Sequence, residues 1–284
     1  MNKKNSLSRR QLVKHSALGL FSVSFSGVAN ANNSLSTTSK VTQTSVPHER
    51  YPAIQLEIAS EVVGAAHFNL EKLKQLVDPR PELAKATWDG GFGDWESAIA
   101  AASHVGRKDI VDYLISKGAV PTLFTYAMLG EYETVKAMID AYPGIQRNFG
   151  PHGITLLQHA KTGLQAEGID KTKAQRTVDY LESLGDADGK KYLDMTEAEK
   201  AKYLGDYKYG TGKDDGFTIK MNMRKLLTLG RLGKSGGALL RVSESDFIYQ
   251  NAPSVTVKFT IQNDQVASLI LNEPGLTLTA TKVS

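Results

Sequence analysis

The chain has 284 residues, 41% of them hydrophobic and 23% charged, which is enough for two modest domains and too apolar for wholesale disorder. It contains no cysteine, so disulfides and thiolate catalysis are excluded. The formal charge of +4 sits at the start: without Lys3, Lys4, Arg9, Arg10 and Lys14 it becomes −1, and no basic surface for nucleic acid is expected.

Residues 1–31 have the order of an export leader, with cations first, a short apolar run over 17–29, and small residues at Ala29-Asn30-Ala31. Ser8-Arg9-Arg10-Gln11-Leu12-Val13-Lys14 resembles the twin-arginine motif of bacterial proteins exported after folding, with Leu12 and Val13 where that family prefers Phe and Leu. The resemblance implies a periplasmic or otherwise exported bacterial protein. An ordinary secretory leader or an uncut anchor is the alternative. The apolar run is short and interrupted by serine and glycine, so no permanent membrane span is expected once the leader is cleaved. Residues 32–50, rich in Ser, Thr, Asn and Gln, read as a disordered linker.

Residues 51–189 carry helical periodicity in short paired segments. The stretch 97–106 reads as a small-residue helix with a glycine turn, and 107–119 as an amphipathic helix with a glycine stop; 123–139 and 155–185 repeat the plan. Ser97-Ala98-Ile99 and the Gly118-Ala119 ending resemble ankyrin repeats, whose period is about 33 residues. The segment 106–130 is short for that period and 164–172 is an insertion. Gly91-Phe92-Gly93-Asp94-Trp95-Glu96, Ala102-Ser103-His104, Ala127-Met128-Leu129-Gly130 and Gly150-Pro151-His152-Gly153-Ile154 are similar to a bacterial subgroup of ankyrin-repeat proteins. That resemblance implies a helical solenoid and no assigned activity.

Both tryptophans, Trp88 and Trp95, flank a loop with three glycines and Phe92. In an ankyrin repeat this connection is a finger beside the concave groove, where aromatic anchors meet partners. One indole is expected to be buried on the core edge and the other partly exposed. Arg147 and His152 flank a second turn, and Asp94 and Glu96 flank the first. A protein partner is therefore expected at Trp88, Phe92, Asp94, Trp95, Glu96, Arg147 and His152, with an internal brace between fingers as the alternative. His104, His152 and His159 lie near helix starts or turns. No carboxylate sits at metalloprotease spacing, so structural histidines are expected, with no metal, no cofactor and no catalytic residue.

Residues 190–284 begin with the capping box Thr196-Glu197-Ala198-Glu199. Eight alternating segments follow, at 203–209, 217–223, 226–229, 238–242, 246–249, 255–261, 266–271 and 276–282, with Asn263-Asp264 as a hairpin turn. The glycine-rich stretch 230–237 lacks the first glycine of a phosphate loop and reads as a hairpin. Tyr203-Leu204-Gly205-Asp206-Tyr207, Asp246-Phe247, Val257-Lys258-Phe259 and Val266-Ala267-Ser268-Leu269 resemble the lipocalin-like domain appended to beta-lactamase-like serine hydrolases.

The fold expected is multidomain α + β, a helical ankyrin-repeat solenoid followed by a small antiparallel β-meander or lipocalin-like barrel. The function expected is exported, non-enzymatic protein recognition; the alternatives are a small apolar ligand held by the β domain and, with least support, a hydrolase.

Overall fold

The computed structural model describes residues 53–234 and 236–283. The leader, the twin-arginine motif and the linker lie outside the described residues. Four helix pairs come first: α1 (Leu56–Phe68) with α2 (Leu70–Val77), α3 (Ala98–His104) with α4 (Lys108–Ser116), α5 (Leu123–Leu129) with α6 (Tyr132–Ala141), and α7 (Leu156–Gln165) with α8 (Lys171–Leu184). The hairpin β1 (Thr87–Asp89) and β2 (Trp95–Ser97) joins the first pair to the second.

Local chemistry sets these boundaries. Ser97, Thr122, Thr155 and Asp170 accept hydrogen bonds from the free N–H groups that open α3, α5, α7 and α8. Gly130 and Gly185 end α5 and α8 in left-handed backbone that other residues adopt at a cost. Helix α3, Ala-Ile-Ala-Ala-Ala-Ser-His, is buried except at its final His104, because it lies between α1 and α5 and its methyl-sized side chains let both approach. Buried Ser103 donates to Thr125 Oγ1 at 3.0 Å, tying α3 to α5.

The ankyrin-repeat solenoid expected from the sequence is not what forms. The helical part is an array of unequal pairs whose first helices begin at Leu56, Ala98, Leu123 and Leu156, steps of 42, 25 and 33 residues. A solenoid needs a constant step so that identical units stack. Among the described residues a two-stranded hairpin also occurs in one connection only. The array has two apolar cores, one around Leu73, Val77, Ile110 and Leu114, the other around Leu123, Val135, Leu156 and Leu181.

Helix α9 (Glu197–Tyr203), opened by the capping box at Thr196 and Glu199, leads into a closed antiparallel barrel. Its strands are β3 (Gly205–Lys208), β4 (Gly216–Met221), β5 (Leu227–Arg231), β6 (Gly237–Arg241), β7 (Asp246–Tyr249), β8 (Ala252–Gln262), β9 (Gln265–Glu273) and β10 (Leu276–Lys282). Each pairs with the next, and β10 closes on β3, so no edge is left to aggregate. The closed barrel fits the lipocalin-like expectation. Along β8, Val255, Val257 and Phe259 point inward while Ser254 and Lys258 face out. Asn263 and Asp264 both take positive φ in the turn between β8 and β9, as a tight hairpin requires. Inside, Tyr203, Tyr207, Phe247 and Phe259 meet edge to face, with the Tyr207 hydroxyl donating to the Tyr203 carbonyl at 2.7 Å. No helix among the described residues is long and apolar enough to cross a membrane.

Two positions test how the helical array is held. In α7, a Cβ added to Gly163 would lie 2.1 Å from the Met128 carbonyl oxygen of α5. Alanine usually gains about 1 kcal/mol over glycine within a helix, yet Gly163→Ala is expected to lose roughly 1–3 kcal/mol net because two backbones must separate. Urea unfolding measures the sign.

His159 is fully buried against Phe124, donates from Nδ1 to the Thr155 carbonyl at 2.9 Å, and has no partner at Nε2. Burial pushes its pKa down to about 4. The unfolded chain therefore binds more protons than the native one between about pH 6.5 and 4, and stability falls as pH falls through that window. The loss attributable to this group is roughly 3 kcal/mol by pH 4. Urea midpoints of His159→Leu should show a correspondingly flatter acid limb; an unchanged limb would place the acid sensitivity elsewhere.

Candidate functional site

The β1–β2 hairpin positions the first two carboxylates. Its tip turns through Gly91, Phe92 and Gly93 with φ of 129°, 57° and 86°, and Asp89 Oδ1 accepts from the Gly91 and Gly93 N–H groups at 2.8 and 3.0 Å. The glycines are needed because an ordinary side chain at these angles is strained. Successive residues of a strand point to opposite faces. Asp94 and Glu96 accordingly turn inward, 3% and 4% exposed, while Trp95 between them is 62% exposed.

Three imidazoles converge on Glu96. His67 stands in the last turn of α1, His104 ends α3, and His152 lies in the tight turn 151–153 with φ of 58°. His104 Nε2 is 2.9 Å from Glu96 Oε1 and 3.1 Å from His67 Nε2. His152 Nε2 is 3.2 Å and His67 Nε2 3.6 Å from Glu96 Oε2. One donor atom from each of the four residues thus lies within 4.8 Å of the others.

The outer nitrogens decide what faces the centre. His67 Nδ1 donates to the Val63 carbonyl at 3.0 Å, and His152 Nδ1 donates to Asp94 Oδ2 at 2.9 Å. With its proton used there, a neutral His67 ring turns its Nε2 lone pair toward the centre, whereas His152 does so only after giving up the Nε2 proton that faces Glu96. Asp94 Oδ1 also accepts from the His152 backbone N–H at 2.9 Å, which fixes the turn as well as the ring.

Charge follows from this geometry. Burial alone would raise the Glu96 pKa, but the hydrogen bonds to His104 and His152 outweigh it and hold it at about 2. Burial opposes charge on His152, but its bonds to Asp94 and Glu96 bring its pKa up to about 10. Burial likewise opposes charge on Asp94, whose pKa nevertheless stays below the usual carboxylate value because of His152. For His67 burial dominates and pushes the pKa down. A proton on His152 Nε2 therefore occupies the centre at neutral pH when nothing else does.

The cluster lines a cleft of about 760 Å³ where the helical array meets the barrel, with Gln158 on one wall and Asn222 and Gln250 on the other. Asn251 is the joint between the two parts: its Nδ2 donates to Asp94 Oδ1 at 2.8 Å and to the Gly150 carbonyl at 2.7 Å. Arg224 reaches the His152 carbonyl at 3.3 Å from the barrel side.

Of the residues singled out in the sequence, Asp94, Glu96 and His152 come together. Phe92 packs on the Tyr249 ring of the barrel, with centroids 4.9 Å apart, and Trp88 packs on the first helical core. Trp95 faces outward, and Arg147 pairs with Asp186 at 3.4 Å, apart from the cluster. His159 is enclosed elsewhere. His67 was not singled out and His104 was read as structural; no local spacing links 67, 96, 104 and 152, and only the packing of α1 against α3 brings the first three together. Compared with known proteins, the chain matches no family model and no curated protein.

Asn251 has φ of 58°, so backbone and side-chain contributions can be separated. Asn251→Gly keeps the turn and removes the joint, and is expected to lower stability by about 1–3 kcal/mol. Asn251→Ala should lose about 1 kcal/mol more, because alanine resists left-handed backbone. Urea unfolding of the two variants reads both terms.

Proposed function

We propose that this protein binds a divalent transition metal through His67, Glu96, His104 and His152 and presents it to a ligand entering the cleft. The observation that carries the reading is the convergence of three Nε2 atoms on one carboxylate while the Nδ1 atoms of His67 and His152 are held by Val63 and Asp94. A backbone carbonyl or carboxylate behind a ligating histidine is the arrangement that orients imidazoles for a metal. Bonds of about 2.0–2.1 Å in a tetrahedron place ligands about 3.3 Å apart; here the histidine contacts to Glu96 and the His67–His104 contact run from 2.9 to 3.6 Å, and one donor atom of each residue lies within 4.8 Å of the others. Three imidazoles and one carboxylate suit zinc best among common ions.

The charges agree as well. Glu96 and Asp94 together match a divalent ion beside neutral imidazoles. Such an ion would supply Lewis acidity to an oxygen-bearing ligand or a water added from the cleft beside the four protein donors. The chain's own part is to hold the donors, keep Glu96 ionised and leave the cluster open to the cleft. This reading departs from non-enzymatic protein recognition at the finger loops, because Asp94 and Glu96 face inward and Arg147 is elsewhere.

Zinc titration of the metal-stripped protein, followed by calorimetry, is expected to show one equivalent bound per chain. His67→Ala and His104→Ala should each abolish that stoichiometric binding, and Asp94→Asn should weaken it by about 10–100-fold. The ion competes with the proton on His152 Nε2, so calorimetry near pH 7 in buffers of different ionisation enthalpy should record about one proton released. Absence of stoichiometric binding, or full retention of it by His67→Ala and His104→Ala, would leave the cluster as a histidinium braced between two carboxylates.

A further inference from the structure

We infer that the barrel end under the β1–β2 hairpin is a second binding site, for an uncharged, largely apolar small molecule. A cavity of about 550 Å³ lies there, walled by Trp88, Phe92 and Trp95 of the hairpin on one side and by Phe217, Leu271 and Leu278 of the barrel rim on the other. Its volume falls in the range of small-molecule sites, and two facing walls make it a slot rather than a flat face for a macromolecule. The aromatic residues deeper in the barrel fill their own space, but at this end large apolar side chains remain in water. Trp95 is 62% exposed, and Leu56, which also lines the cavity, is 68% exposed. Contiguous apolar exposure of this kind around a concavity marks a binding site.

The polar groups at the cavity define the ligand class. Asp89 is committed to the Gly91 and Gly93 N–H groups. The Tyr249 hydroxyl accepts from the Gly237 N–H at 2.6 Å, which leaves its proton for a single acceptor on a ligand. Arg231 and Glu273 on the rim are of opposite sign, so the rim selects neither anions nor cations. The molecule that matches is flat or elongated, uncharged and largely apolar, with a hydrogen-bond acceptor placed to meet the Tyr249 hydroxyl. Gly90, Gly236 and Tyr249 line both cavities, but the functional groups differ: the hairpin contributes Glu96 and Asp94 to the metal cleft and its aromatic rings to this slot.

The full-length protein can be titrated with N-phenyl-1-naphthylamine, an uncharged apolar fluorophore, and the emission of the probe read under direct excitation. Saturable binding of one probe per chain is expected. Trp95→Ala, at an exposed position and expected to leave the circular dichroism unchanged, should weaken it by about tenfold or more. Leu278→Arg should abolish it by placing a charge in the slot; should that variant fail to fold, Leu56→Glu at an exposed edge serves the same purpose. His67→Ala should bind the probe like the wild type. Non-saturable binding, or affinity unchanged by both Trp95→Ala and Leu56→Glu, would overturn the assignment.

Discussion

A carboxylate with 4% of its surface exposed stays ionised only if other groups replace the water it has lost. Glu96 is that carboxylate, and much of the geometry at the join between helices and barrel follows from satisfying it. His104 must end α3 at the right height, which requires α3 to start at the Ser97 cap directly after the strand carrying Glu96. His67 must face the same point from α1, which the small side chains of α3 permit by letting the two helices close. His152 must come from a turn held in left-handed backbone, and Asp94 holds that turn through both the backbone N–H and the ring. The barrel is tied to the same residue, since Asn251 donates to Asp94. Two buried carboxylates, Glu96 and Asp94, thus link two helices, a turn and a separate barrel.

The hairpin distributes these roles through the alternation of a strand. Asp94 and Glu96 share one face and Trp95 takes the other, so three consecutive residues serve the proposed metal cleft and the proposed barrel slot together. The glycines at 91 and 93 let the tip fold over Asp89, which brings Phe92 onto Tyr249. A shift of β2 by a single residue would turn Trp95 into the histidine cluster and the carboxylates into the apolar slot. Register at this hairpin is therefore fixed from both sides, which accounts for so many turn-forming residues in so short a loop.

Much of the fold was legible. Alternation and turn residues marked eight strands between 203 and 282, and the structure has eight there, with the Asn263-Asp264 turn where those signals put it. Small-residue and amphipathic runs closed by glycine, at 97–119, 123–139 and 155–185, marked the helices for the same local reason. The solenoid was over-read from these local signs, because a cap and a glycine stop define a helix but not the constant step that makes identical units stack. The site was half legible. Asp94, Glu96 and His152 stood out as a charged rim around aromatic residues, yet a three-residue strand is too short to show which face is buried. His67 and His104 carry no pattern at all, since their relation to Glu96 is made by helix packing across separate segments.

The inversion in β2 is the physical reason to read function into this site. A strand built for stability alone would turn Trp95 inward and the carboxylates out, gaining apolar burial and avoiding the desolvation of two charges. The chain does the reverse and then supplies three imidazoles, an asparagine and two glycines to support the result. Replacing a buried ionic cluster by well-packed apolar side chains is commonly neutral or stabilising, so folding free energy does not account for the arrangement. Local rules are broken in this way where a site needs them broken. Three ring nitrogens facing one carboxylate, with the Nδ1 protons of His67 and His152 held from behind, are the arrangement the proposed metal would complete, and a proton on His152 satisfies only part of it.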